Sequence, residues 1–404
     1  MAVLGAGIIG AACAAELTAA GCDVVLVDRA GPAAATTSHG EGNILVSDKG
    51  PGPELELAQF SRRLWPELLE RLRAQGPDVE RRAAAAEWDP KGGLVLATTD
   101  EGAEALGAFG AAQREAGVRA EALDARQVAE AEPFVTKEHT AALYYPDDAQ
   151  VQPAGAAAAL LAGALAAGAR LRTGCEVTGA RVRGGRLVAV RLADGGELAA
   201  DAFVNAAGPW AGELGARLGA PVGVAPRRGE VLVTTPLPPT VFHKVYDADY
   251  VGAVGSDAGE LQTSAVVEST RGGSVLLGSS RRRVGFDART PPEVLSAIAA
   301  KALRLFPSLS GVPVMRAYGG FRPYVADHLP LIGSDPRLPG LWHATGHEGA
   351  GIGLAAGTAR LLTDLLRGRQ PELDPAPFRP DRPTAAATHQ PLLPPPGPTT
   401  KERP

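Results

Sequence analysis

Apolar residues open the chain in short blocks set apart by glycine. Ala2-Val3-Leu4 precedes Gly5-Ala6-Gly7-Ile8-Ile9-Gly10, a run of small residues follows to Ala20, and Val24-Val25-Leu26-Val27 ends at Asp28. Blocks of this size predict buried strands and the small-residue run a closely packed helix, which together make a βαβ unit. Gly5, Gly7 and Gly10 interrupt the apolar stretch, no basic residue precedes it and Glu16 lies inside it, so neither a signal peptide nor a membrane span is predicted. The strand before Gly5 is shorter than the usual length of about five residues, which places the expected true start upstream.

Further along, Leu57, Phe60, Leu64, Leu68 and Leu72 recur at three- and four-residue spacing, predicting an amphipathic helix over 54–75. A turn at Lys91-Gly92-Gly93 feeds a strand through Ala97, two helical stretches fill 101–130, and Pro146-Asp147-Asp148 with Pro153 introduces a buried alanine-rich helix over 154–168. Strand character runs from Ala169 to Val177, hairpins are expected at Gly184-Gly185 and Asp194-Gly195-Gly196, and Ala202-Phe203-Val204-Asn205 reads as a strand. Residues 229–321 read as β-rich with one helix near 291–305. Strand, loop and helix resume at 340–344 and 352–367. Residues 371–404 are proline-rich with few large apolar side chains and are expected to form a disordered tail.

A length of 404 residues suggests two domains. The formal net charge of −5, with both signs interspersed, gives no reason to expect a nucleic-acid partner. Arg281-Arg282-Arg283 follows an apolar stretch and is read as a strand end. Cys13, Cys22 and Cys175 form no C-x-x-C pair and are read as reduced core residues of a cytoplasmic protein, without disulfide or metal site.

The glycine-rich turn carries the first chemistry. Gly5 permits the tight turn, Gly7 leaves room for a pyrophosphate at the helix N-terminus, Gly10 lets helix and strand approach, and Asp28 stands where a carboxylate accepts ribose hydroxyls. Thr36-Thr37-Ser38-His39-Gly40-Glu41-Gly42-Asn43 is a small polar loop able to offer N–H groups and hydroxyls to phosphates. Val204 to Trp210, Gly319-Gly320-Phe321-Arg322-Pro323 and Thr345-Gly346-His347-Glu348-Gly349-Ala350-Gly351-Ile352 complete the set. His347-Glu348 lacks the second histidine of a zinc H-E-x-x-H, since Gly351 stands there, and Gly278-Ser279-Ser280 lacks the G-x-S-x-G nucleophile elbow.

With these motifs in this order the chain resembles the D-amino acid oxidase superfamily of FAD-dependent amine oxidoreductases, which includes glycine oxidase, sarcosine oxidase and dehydrogenases of D-amino acids or D-hydroxyproline. The resemblance implies an α/β fold, with a discontinuous Rossmann-like FAD-binding domain from 1–85, 146–228 and 322–370. An antiparallel β-rich α+β substrate domain would come from 86–145 and 229–321. It implies that Gly5, Gly7, Ile8, Ile9 and Gly10 form the pyrophosphate turn, and that Asp28 and Arg29 meet the adenosine ribose. Thr36, Thr37, Ser38, Glu41, Gly42 and Asn43 would approach phosphates and flavin, Val177 the adenine, and Gly208 the cofactor. His347, Glu348, Gly349, Ala350, Gly351, Ile352 and Gly353 would run past the flavin ring. With no cysteine after Cys175, the FAD is expected to be non-covalent.

Arg322 is the expected clamp for a substrate carboxylate, because its planar fork makes two parallel hydrogen bonds. The alternative is a structural pairing with Asp327 or another acid. Relatives place a second arginine where this chain has Gly349, so a further contact is expected from Tyr250, Tyr246 or Tyr324. The expected reaction is oxidation of the C–N bond of a small amino acid by hydride transfer to flavin N5, with O2 or another acceptor reoxidising the flavin. Two rivals stand beside it. One is oxidation of a 2-hydroxy acid or glycerol phosphate, with His243, His347 or His39 as base; the other is a flavin subunit working with partner subunits, or a homo-oligomer.

Overall fold

The computed structural model describes residues 1–249 and 259–385. Its first sheet has six strands in the spatial order Leu331–Ser334, Leu341–Thr345, Phe203–Asn205, Ala2–Leu4, Val25–Val27, Arg170–Arg172. All neighbours are parallel except Leu331–Ser334, which runs against Leu341–Thr345. The helices Ile8–Ala19, Pro153–Ala166 and Gly351–Leu366 share one core with one face of this sheet. An antiparallel meander, Val177–Arg183, Arg186–Leu192 and Glu197–Ala199, packs on the other through Val177, Leu187, Val190 and Leu192 against Leu4, Val27 and Phe203. Small side chains set the spacing: a Cβ on Gly10 would lie 1.9 Å from the Gly5 carbonyl oxygen, so helix and strand could not otherwise come so close.

The second sheet has eight strands: Val314–Tyr324, Ala225–Thr234, Val275–Arg281, Gln262–Ser269, Lys244–Asp247, Gly93–Ala97, Ala141–Tyr145 and Glu121–Ala122. Its pairings are antiparallel but for Lys244–Asp247 beside Gly93–Ala97, where the long return of the chain lets both run the same way. The helix Pro292–Leu305 covers one face through Val294, Ile298, Ala302 and Leu305. The boundaries expected at 228/229 and 321/322 fall inside the paired strands Ala225–Thr234 and Val314–Tyr324, so two long strands run on from one part into the other.

The amphipathic helix spans Pro53–Arg73, with proline and glutamates in its first turn and arginines in its last, the arrangement that suits the helix dipole. Arg281 ends a strand and is buried. The stretch 169–177 divides in two: after Arg170–Arg172, Gly174 turns with φ +63°, and Val177 starts the meander. The tail expectation needs correction for residues 371–385, which dock on the body. Phe378 and Ala385 are buried, and Arg382 donates to both oxygens of Asp327 at 2.7 and 2.8 Å. The segment docks through scattered contacts, a buried Phe378 and this ion pair among them, without apolar periodicity. Residues 386–404 lie outside the described residues, as does Tyr250. All three cysteines are free, and burial pushes the Cys13 thiol up to about 12. Among the described residues no helix is long and apolar enough to cross a membrane.

Candidate functional site

A cavity of about 420 Å3 runs from the glycine-rich turn to the near edge of the eight-stranded sheet. At one end Gly5 holds φ +116°, and a Cβ there would lie 2.4 Å from the Ala206 carbonyl oxygen. Gly7 caps the following helix without a side chain, Ile8 donates its N–H to Thr37 Oγ1 at 3.0 Å, and Ile9 lines the same wall. Bare amides and the positive end of a helix dipole make an anion seat. Asp28 is fixed by two backbone donors, Ala6 and Ala30, each at 2.8 Å, while the Arg29 guanidinium lies 4.2 Å over the Trp210 ring. Val177 and Cys175 close this end, and Gly208, with φ +56°, accepts from Thr345 at 3.1 Å.

The polar loop divides between lining and support. Thr36 donates to the Phe321 carbonyl at 2.7 Å and Thr37 holds the helix start, both against the cavity. Ser38 does not belong with them: it is exposed, and its hydroxyl donates to the Ala35 carbonyl at 3.1 Å. It lies on a single 3₁₀ turn, Thr36–His39, whose three-residue period turns Ser38 away from the wall. Glu41, Gly42 and Asn43 line the cavity, with Gly42 at φ +95° and a would-be Cβ 1.8 Å from the Val151 carbonyl oxygen. Glu41 is buried; its Oε2 accepts from Asn43 at 3.2 Å, and its Oε1 has no partner among the described residues.

At the far end His347, Glu348, Gly349, Gly351 and Ile352 line the cavity. Ala350 and Gly353 do not. Gly353 packs its helix on the loop, 3.1 Å from the Asn43 carbonyl oxygen for a Cβ, and accepts from Trp65 at 3.1 Å. His347 shares a 2.9 Å hydrogen bond with Thr358, leaves Nδ1 without a partner among the described residues, and is pushed down to about 3 by burial, so it is neutral. The Glu348 carboxylate is committed to Arg227 at 2.7 Å and His328 at 3.1 Å. Burial alone would raise its pKa, but the His328 bond and the charges of Arg227 and Arg281 hold it below the usual range.

Arg322 also lines the cavity, donating to the Ser280 carbonyl at 2.8 Å. Glycines make its room: a Cβ on Gly229 would lie 2.2 Å from its Nη1, and one on Gly349 would lie 3.5 Å from its Nε. Asp327 is not its partner, being held by Arg382. Two of the tyrosines weighed for the substrate are packed elsewhere. Tyr246 is fully buried with its hydroxyl on Ser47, and Tyr324 lies against the His328 ring. His243 is tied to Glu132 at 3.0 Å and does not line the cavity, whereas His39 does, with Nδ1 2.7 Å from the Ala35 carbonyl.

Sequence reasoning passed over Arg227, which sits directly opposite Arg322 in the strand register and is 1% exposed. Its signal was the doubled arginine in a strand, since adjacent strand residues face opposite ways: Arg227 turns to Glu348 and Arg228 to Glu230. Lys244 was also missed. It is buried, donates to Asn43, and lies 2.9 Å from Glu268 and 4.0 Å from Glu41.

An anion seat, a carboxylate held for hydroxyls, and a buried polar atom awaiting a partner at His347 fit an elongated dinucleotide such as FAD. The family profile described as "DAO: FAD dependent oxidoreductase" matches residues 1–365. Glycine oxidase of Geobacillus kaustophilus is 31% identical over 385 residues, covering 94% of this chain and 95% of that protein. Glycine oxidase of Pseudomonas putida is 32% identical, covering 94% and 97%. The crystal structure of the Geobacillus kaustophilus enzyme superposes with a TM-score of 0.84 over 94% of this chain and 98% of that one, at 29% identity. A match of this extent, on a cavity whose glycines and acids suit that cofactor, makes the chain a member of the DAO family of FAD-dependent oxidoreductases.

Proposed function

We propose that the protein oxidises the C–N bond of a small amino acid of the glycine, sarcosine, D-amino acid or D-hydroxyproline type. The observation that carries this reading is Arg322, a guanidinium that lines the cavity from a paired strand and is given room by Gly229 and Gly349. On this reading 1–85, 146–228 and 322–370 form the cofactor-binding part, and 86–145 with 229–321 the substrate part. Gly5, Gly7, Ile8 and Ile9 seat the pyrophosphate, Asp28 the ribose, and Thr37 keeps the helix start in place.

FAD held in this cavity would supply the oxidant for hydride removal from the substrate α-carbon. Arg322 contributes orientation: gripping the carboxylate with two N–H groups fixes the α-carbon in one pose. Buried neutral His347 can hydrogen-bond without adding charge. The imine that leaves is hydrolysed by water to a carbonyl compound and ammonia or an amine. Similarity to glycine oxidases over nearly the whole chain supports the amino acid class. The test is an anaerobic panel in which purified, FAD-loaded protein meets glycine, sarcosine, D-amino acids, hydroxyproline isomers and 2-hydroxy acids while flavin absorbance is followed. Bleaching by an amino acid and not by hydroxy acids supports the reading; bleaching by hydroxy acids alone overturns it.

A further inference from the structure

Glu41 lines the cavity from the polar loop, and it lies against the eight-stranded sheet at Gly278 and Lys244. Its Oε1 touches Gly278, where a Cβ would lie 2.1 Å away, so only glycine at 278 leaves the carboxylate in place. Ser280, whose carbonyl accepts from Arg322, is two residues along the same strand. Glu41 and the carboxylate clamp thus contact one strand two residues apart, Glu41 at Gly278 and Arg322 at the Ser280 carbonyl. An α-amino acid carries its carboxylate and its amine on one carbon, so the two groups could be met from these two neighbouring contacts.

The chemistry of the neighbourhood is unusual for a phosphate or flavin contact. Beside Glu41 stand Asn43 from its own loop, Lys244 and Glu268 from the sheet, and Tyr318, whose hydroxyl lies 3.5 Å from the Gly40 carbonyl and whose ring meets His39. Lys91 acts on Glu268 and Arg316 on Tyr318 from farther out. Glu41, Glu268 and Lys244 are all more than nine-tenths buried, and each carboxylate keeps one buried oxygen without a partner among the described residues. The carboxylates of Glu41 and Glu268 thus both lie near the Lys244 ammonium, 4.0 and 2.9 Å from it. An anion in that place repels a phosphate but attracts an ammonium.

We propose that Glu41 Oε1 receives the substrate's ammonium and takes a proton from it, which leaves the amine lone pair free for the oxidation. This rests on the amine-oxidation reading above. The step breaks one N–H bond and forms one O–H bond; the electron pair stays on nitrogen, and no oxidant is consumed. Glu268 and Lys244 act as positioning residues that hold the carboxylate in the pocket.

The test uses full-length, FAD-loaded protein with Glu41→Gln and Glu41→Asp, and glycine, sarcosine and D-alanine as probes. Three quantities are read: anaerobic flavin reduction across a pH series, the FAD dissociation constant, and thermal midpoint. General acid–base roles are typically worth about 10²- to 10⁴-fold, so Glu41→Gln should reduce flavin roughly a hundredfold more slowly near neutral pH. Its rate should recover in alkali as the free amine appears in solution, with FAD affinity unchanged. Glu41→Asp should keep the wild-type form of the pH profile at a lower rate, and it carries the test if the glutamine variant does not fold. Unchanged reduction by Glu41→Gln at neutral pH overturns the proposal, as does a loss confined to FAD affinity, which assigns Glu41 to the cofactor. A wild-type protein that no amine reduces fails the earlier reading instead.

Discussion

Arg382 grips Asp327 through two hydrogen bonds, Nε to Oδ2 at 2.7 Å and Nη2 to Oδ1 at 2.8 Å, with Thr384 donating to the same carboxylate. Arg382 also donates to the carbonyls of Leu329 and Pro330, the turn that leads into the Leu331–Ser334 strand. A segment whose composition suggests disorder therefore fastens the edge of the parallel sheet.

A chain ending at Gln370 loses both this grip and the buried Phe378, and should melt several degrees below a chain ending at Ala385. Burying one large aromatic side chain contributes about 1.5–3 kcal/mol, and each kcal/mol shifts the midpoint of a protein this large by at least a degree or so. Thermal unfolding of the two FAD-loaded proteins checks it; equal midpoints would show that the 371–385 segment contributes nothing.

Arg322→Lys keeps the charge and loses the fork, while Arg322→Ala loses both. A charge-assisted hydrogen bond is worth about 1.5–3 kcal/mol, so each one lost should slow anaerobic bleaching by a carboxylate-bearing amine, or weaken its binding, by roughly tenfold or more. FAD content should stay at the wild-type level. Unchanged bleaching by Arg322→Ala moves the carboxylate site elsewhere.

Asp28→Asn should weaken FAD binding. Its two oxygens now accept from Ala6 and Ala30, and an amide must turn its NH2 toward one of those donors. With the ribose contact also weakened, the FAD dissociation constant of the apoprotein, read by flavin fluorescence, should rise about tenfold or more. An unchanged constant removes the ribose role from Asp28.

The fully buried Asp335 gives a pH signature. Burial alone would raise its pKa, but hydrogen bonds from His343 and Arg337 outweigh it and hold the carboxyl well below its ordinary value. A depressed folded-state pKa stabilises the fold above the unfolded value, and that stabilisation fades as pH falls toward the folded one. The stability difference between wild type and Asp335→Asn should therefore be full near neutrality and shrink below about pH 4. Urea unfolding at several pH values measures it, and a gap that widens in acid contradicts the assignment.

What could be read from the residues was local. Glycines with a fixed geometric task, an acid two strand-ends away and arginine in a strand are each decided within a few positions, and Gly5, Asp28 and Arg322 all line the cavity. Ser38 failed because a 3₁₀ turn rotates each residue by a third of a circle, which a list of polar neighbours does not register. Arg227 and Lys244 stayed hidden because their partners, Glu348 and Glu268, are joined to them by sheet register and folding of distant loops rather than by spacing. The tail misled for the opposite reason: average composition hid one anchor, Phe378.

The order of strands in the parallel sheet bears on how the chain comes to be folded at all. Ala2 pairs on one side with Val25 and on the other with Phe203, and Phe203 pairs in turn with Leu341. The central strand thus has one neighbour close by along the chain and the other some two hundred residues on. Topology of this kind, with pairings so remote along the chain, slows folding and leaves an open strand edge in the meantime.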